Sequence, residues 1–191
     1  MKKRFTKLSF AILAIGTMSM LFTSCAKEED ADPCDTIVCV KGDCVNGTCD
    51  CDEGWSGSDC SNQITPSKIK ITGIKLTRFP ATDNGGGWDV SSAPDIFVEI
   101  SYNGTGIFES LLYYDADYTQ EYTFTINPYI ELNNVTSQYT IRLYDYDDLD
   151  ANDWMGGINF TPYYSTNGFP TTKTLDADGD VAFEVTYSYV W

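Results

Sequence analysis

The chain has 191 residues, with 28 acidic side chains against 12 basic ones, no histidine, seven cysteines and a formal charge of −16. This balance excludes a nucleic-acid interface, because uncompensated carboxylates repel phosphate. Without histidine there is no imidazole for a catalytic triad, and once the cysteines are engaged no thiol nucleophile remains, so the chemistry points to binding rather than catalysis.

The N-terminus is distinct from the rest. Met1-Lys-Lys-Arg-Phe-Thr-Lys7 is a basic head, and Leu8 to Phe22 is an apolar stretch too short to span a bilayer comfortably, the pattern of a secretory signal over residues 1–24. Leu21-Phe-Thr-Ser-Cys25 resembles a bacterial lipobox, which implies lipidation of Cys25 and attachment to the membrane through that lipid. Lys2, Lys3, Arg4 and Lys7 lie within the signal, so its removal leaves 8 basic residues against 28 acidic ones and a formal charge of −20. Residues 25–33 are acidic and poor in apolar side chains, as expected of a solvated tether. A lysine followed by acids directly after the cysteine resembles the surface-export signal of some Gram-negative lipoproteins. That resemblance implies an outer-membrane protein facing the cell exterior.

Six cysteines follow between Cys34 and Cys60. One lipidated cysteine plus three disulfides accounts for the odd total in an oxidising compartment, and arithmetic alone leaves many pairings open. Zinc is disfavoured by the lack of histidine and by that compartment. Cys49-Asp-Cys51-Asp-Glu-Gly54-Trp55-Ser-Gly57-Ser-Asp-Cys60 resembles the C-terminal half of an epidermal-growth-factor-like (EGF-like) module. The resemblance implies a module over 34–60 with the pairs Cys34–Cys44, Cys39–Cys49 and Cys51–Cys60. So short a segment cannot fold on hydrophobic burial alone, so the bridges must stabilise it. Asp30-Ala-Asp32-Pro33 matches the calcium-binding form of such modules only in part and is read as tether. Residues 61–67 form a polar linker too short for the flanking parts to tumble freely.

From residue 68 onward the hydrophobic period is two. It is seen in Lys68–Thr72, 95–102, Phe108–Tyr114, Tyr122–Ile126, Tyr139–Tyr144, Trp154–Phe160 and Val181–Tyr187. Asn84-Gly-Gly-Gly87, Asn103-Gly104 and Asp178-Gly179 punctuate these runs, and no stretch carries a helical period. The expectation is an all-β chain whose residues 68–191 form an antiparallel β-sandwich.

Two segments of this region carry aspartates beside strands. Asp89-Val-Ser-Ser-Ala-Pro-Asp95 leads into the run 96–102, and Asp145-Tyr-Asp147-Asp-Leu-Asp-Ala-Asn-Asp153 follows the run 139–144. Strand ends collect at sheet edges, and clustered carboxylates are tolerable there when a hard cation sits between them, which suits calcium. The spacing resembles the calcium loops of the protein-kinase-C conserved-region-2 (C2) domain, as does the Asn-Asp-Trp-Met-Gly run at 152–156. By that resemblance the fold is C2-like with eight strands, of which seven are legible here. It also implies that Asp89, Asp95, Asp145, Asp147 and Asp153 are calcium ligands, that Asp150 adds an oxygen, and that the carbonyls of Trp88 and Tyr146 are further donors. Val90 and Leu149 fall at the two loop tips. Membrane-binding relatives place basic residues nearby, but Asp148 and Ala151 occupy such positions and Gly106 to Tyr114 contains neither Lys nor Arg. Binding to anionic lipid is therefore expected to be poor, and the expected partner is a protein or a glycan.

Asp176-Ala-Asp178-Gly-Asp180 begins like an EF-hand loop, but Val181 and Tyr187 stand where that loop needs Gly and an acid, so it is read as a turn. The sequons at Asn46, Asn103 and Asn134, and the Asp35-Thr36-Ile37 triplet, are too short to carry weight. Together these readings lead to a non-catalytic, lipid-anchored surface protein acting as a calcium-dependent binding or adhesion module. The alternatives are a carbohydrate-binding surface lipoprotein with structural calcium, and a non-catalytic accessory subunit of an exported complex.

Overall fold

Alternation decides which residues of this chain face inward. In the run Tyr139–Asp145 every second side chain is buried, starting with Tyr139, Ile141 and Leu143 and ending with Asp145. The computed structural model describes residues 31–89, 92–149, 151–177 and 179–191. The signal, Cys25, Val90 and Asp150 lie outside the described residues, as does Asp178 of the discounted turn.

Strands are numbered in chain order. β1 (Gly42–Val45) and β2 (Thr48–Cys51) form a hairpin across Asn46-Gly47, both at positive φ, which matches the two-residue turn that the twist of paired strands favours. β3 (Trp55–Ser56) pairs with β4 (Asn62–Gln63), so paired structure extends past Cys60 into the segment read as a linker. Disulfides join Cys34 to Cys44, Cys39 to Cys49 and Cys51 to Cys60, the same pairs that the EGF-like resemblance implies.

The rest is an antiparallel two-sheet structure. One sheet runs β12 (Thr172–Asp176), β13 (Ala182–Val190), β5 (Lys68–Arg78), with β8 (Tyr122–Phe124) and β9 (Ile130–Leu132) both on the outer side of β5. The other runs β11 (Asp153–Phe160), β10 (Tyr139–Asp145), β6 (Ile96–Tyr102), β7 (Thr105–Glu109). Ile69, Ile71, Ile74 and Leu76 of β5 and Phe183 and Val185 of β13 meet Ile96, Val98, Ile100, Ile141 and Leu143 of the opposite sheet in one buried cluster. The three-residue step from Ile71 to Ile74 breaks strict alternation. A register shift against β13, with Thr186 opposite Gly73 and Tyr187 opposite Ile71, absorbs the extra residue and returns both pairs to the core.

Three differences from the sequence reading have physical reasons. The strand expected at Phe108–Tyr114 starts and ends earlier, at Thr105–Glu109, because Asn103-Gly104 makes a two-residue turn that pairs Tyr102 with Thr105 at once. β8 and β9 lie along successive parts of β5, separated by a segment containing Pro128, which has no N–H to continue a ladder. They share one edge position, so each sheet has four positions. The sandwich strands the sequence reading lacked are the three-residue β9 and, at a position of its own, β12. β12 covers an edge of β13 and buries only Leu175, too little apolar alternation to be seen in sequence.

Pro33–Trp191 form one unit. The disulfide-rich segment is fastened to the sandwich by aromatic and amide contacts. Trp55 meets Phe169 edge-on at 5.6 Å between ring centroids, and Phe169 meets Trp191 at 4.5 Å. Gln63 donates to the carbonyls of Tyr164 and Gly168 and accepts from the Gly168 N–H.

Candidate functional site

β10 and β6 end together at one edge of the sandwich, with Asp145 opposite Ile96. Because Asp145 continues the inward phase of Ile141 and Leu143, its carboxylate points into the protein, and the residue is 0% exposed. Its Oδ1 accepts from the backbone N–H of Asp95 at 2.6 Å, while Oδ2 is buried without a hydrogen-bond partner among the described residues. Burial raises the carboxyl pKa most. The hydrogen bond from Asp95 opposes that shift, and the neighbouring charges of Asp89, Asp147 and Asp95 add to it, leaving the group pushed up to about 6.

The loops around it are pinned by backbone bonds. The Tyr146 N–H donates to the Asp95 carbonyl at 2.8 Å, and the Asp147 N–H donates to Asn152 Oδ1 at 3.1 Å. Asp89 accepts from Ser92 Oγ, and the Trp88 indole N–H donates to the Pro80 carbonyl. The sequence reading missed a third loop. The Ile96–Tyr113 bridge brings 113–117 alongside, the Asp115 N–H donates to Asp95 Oδ1 at 2.8 Å, and the Ala116 N–H donates to the Pro94 carbonyl at 2.7 Å. Its signal in the sequence was the pair Asp115-Ala-Asp117, which sat just after a run read as strand.

Of the expected ligands, Asp89, Asp95, Asp145 and Asp147 are thus brought within electrostatic reach of one another. Asp153 pairs with Asp145 across β10 and β11 but is exposed, and it is not among the charges acting on Asp145. Among the described residues no three or more acidic, histidine or cysteine side chains converge closely enough to hold a metal as they stand. The donor chemistry nevertheless fits a hard cation: a buried carboxylate oxygen has no partner among the described residues, and the charges acting on it are negative. Asp89, Asp95 and Asp145 take part in none of the ion pairs among the described residues.

Large exposed apolar side chains adjoin these and neighbouring aspartates in the chain. Leu149, expected at a loop tip, is fully exposed, and Tyr114, Tyr118, Tyr146 and Trp154 present large aromatic surface to solvent. The Tyr146 phenol is pushed up by the adjacent Asp148 carboxylate.

No protein-family model matches the chain, and no curated protein matches it. Similar solved structures include a C2 domain, 10% identical, covering 65% of this chain and 98% of that one with a TM-score of 0.46. A C2 domain of plant extended synaptotagmin 1 is 13% identical, covering 66% of this chain and 96% of that one with a TM-score of 0.43. Human GIVD cytosolic phospholipase A2 is 15% identical over 64% of this chain and 16% of that one, with a TM-score of 0.39. No residue role is taken from these similarities.

Proposed function

We propose that this protein is a non-catalytic, calcium-dependent binding module, held at the cell surface by a lipid on Cys25. Its carboxylate loops would meet a protein or glycan partner. The observation that carries this reading is the buried Asp145 carboxylate, with one oxygen unpartnered among the described residues, in the field of three further aspartates. Asp145, Asp95, Asp89 and Asp147 would hold the ion, with Asp150 and Asp153 available from the same loop. When bound, calcium would neutralise these charges and tie the loop ending at Asp95 to the loop starting at Asp145. The exposed rings of Tyr114, Tyr118, Tyr146 and Trp154 beside these aspartates in the chain suit a partner that buries rings, since Tyr and Trp contribute much of the energy in binding interfaces.

Titration calorimetry tests the reading. Binding is expected in the weak range of extracellular sites, roughly 10⁻⁴ to 10⁻³ M, and is expected to vanish in Asp145→Asn combined with Asp147→Asn. No calcium heat, together with an unchanged melting temperature at about ten millimolar calcium, would rule it out.

A further inference from the structure

β11 carries the chain away from the carboxylates, and at its far end residues 161–171 turn back into β12. A cavity of about 430 Å³ opens there, lined by Tyr163, Tyr164, Asn167, Lys173 and Tyr189 together with neighbouring prolines and threonines. Its size lies within the usual range of ligand sites. Among the described residues no Asp or Glu lines it, although acidic residues outnumber basic ones 28 to 12 in the chain.

Among the described residues the one charged group in its wall is Lys173. Lys68, Lys75, Arg78 and Arg142 each pair with a carboxylate, whereas Lys173, like Lys41 and Lys70, forms no ion pair among the described residues. Its Nζ donates to the Thr161 carbonyl at 2.9 Å and lies 5.2 Å from the centroid of the Tyr164 ring. Two of the three tyrosine hydroxyls are already used: Tyr163 donates to the Ile64 carbonyl and Tyr189 to the Pro170 carbonyl. Tyr164 is half exposed. Asn167 accepts from the Thr166 hydroxyl through Oδ1, and its amide nitrogen donates no hydrogen bond among the described residues. The wall is held in place by Gln63, whose three bonds grip Tyr164 and Gly168 at the two ends of the turn.

We propose that this cavity binds an anionic saccharide, a hexuronate unit whose carboxylate meets Lys173 and whose ring lies against Tyr164. Asn167, Thr172 and Thr174 supply neutral polar groups for the sugar hydroxyls. A small inorganic anion would call for several converging charged donors, but this wall offers one cation among aromatic and neutral polar groups. Burial lowers the Lys173 pKa, so a bound carboxylate would also offset a cost the ammonium now bears. The site is separate from the carboxylate loops and does not depend on calcium.

The test is NMR titration of the protein with methyl glucuronide, methyl glucoside, acetate and inorganic phosphate, each with calcium and with chelator. Glucuronide is expected to bind about tenfold more tightly than glucoside, acetate or phosphate, with no effect of chelator. Lys173→Met should abolish the glucuronide–glucoside discrimination, Lys173→Arg should retain it, and Tyr164→Ala should weaken both sugars about tenfold. The proposal is overturned if wild-type protein shows no shifts with glucuronide at concentrations on the order of 10 mM. It is equally overturned if acetate or phosphate binds as tightly as glucuronide, if Lys173→Arg loses the discrimination, or if binding disappears with chelator.

Discussion

The backbone N–H of Asp95 donates a 2.6 Å hydrogen bond to Oδ1 of Asp145, so two acidic residues that repel through their charges are joined through a main-chain donor. The bond orients the buried carboxylate and closes the ends of β6 and β10. It satisfies one of the two oxygens, and the other has no hydrogen-bond partner among the described residues.

The raised pKa of Asp145 makes stability depend on pH when calcium is chelated. An acid whose folded pKa lies above its unfolded value of 3.8 destabilises the fold fully above about 6. The penalty shrinks as pH falls between those values and is absent below 3.8. At neutral pH the cost is about 3 kcal/mol by linkage. Asp145→Asn keeps an acceptor for the Asp95 N–H and should therefore be more stable than wild type in chelator at pH 7, by up to that amount. Urea unfolding at a series of pH values should show the advantage shrinking as pH falls to 4. In millimolar calcium the wild type should recover relative to the variant, because only it gains stability from binding.

Gly54 lies where the disulfide-rich segment meets the sandwich. Its φ is +89°, and a Cβ there would fall 2.5 Å from the Trp191 ring and 2.6 Å from Phe169. Gly54→Ala should cost at least about 2 kcal/mol through backbone strain and displacement of that ring cluster. Near-ultraviolet circular dichroism should lose tryptophan signal while the disulfides remain intact by mass spectrometry. A variant with wild-type spectrum and melting temperature would mean that the aromatic contact does not fasten the segment.

Tyr187 presents the opposite case. Its hydroxyl is buried on the core face of β13 without a hydrogen-bond partner among the described residues, and burial pushes its pKa far up. Tyr187→Phe removes the unsatisfied group while keeping the ring, so thermal unfolding should show unchanged or higher stability, by about 1 kcal/mol. A loss of more than that would mean the hydroxyl bonds a group not apparent in the fold, such as a buried water.

Leu149 is fully exposed and invites a test of lipid binding. From residue 66 onward 18 acidic residues face 6 basic ones, so anionic vesicles should not pellet the protein strongly even in calcium. Sedimentation with phosphatidylserine vesicles, with and without calcium, measures this. Strong calcium-dependent pelleting that Leu149→Asp abolishes would instead assign the loops to membrane binding.

The parts of this structure set by local pattern were legible in the sequence. Alternation from Tyr139 to Leu143 marked β10, and the aspartates after it were recognisable as a group. That Asp145 itself turns inward follows from the same alternation carried one step further. β12 was not legible, because an edge strand contributes one face to the core, and Thr-Lys-Thr-Leu-Asp places a single apolar residue there. The 113–117 loop was missed because Ser110 and Tyr113 return to β6 through isolated bonds after the ladder of β7 has ended, a long-range event with no local period. The docking of Trp55 on Phe169 and the grip of Gln63 on the 164–168 turn join residues about a hundred positions apart, and no short spacing announces them.

β5 also gives the molecule a direction for load. The chain passes from the bridged segment into Lys68, runs eleven residues to Arg78, and continues into the loop bearing Asp89 and Asp95. A tug between that loop and Pro33 therefore travels along the covalent backbone of a strand that is already extended and has little slack to release. β13 grips it on one side, β8 and β9 on the other, and the three disulfides each close off a loop of about ten residues before it. Tension on the carboxylate loop would meet a taut cord, with the sandwich acting as its sheath.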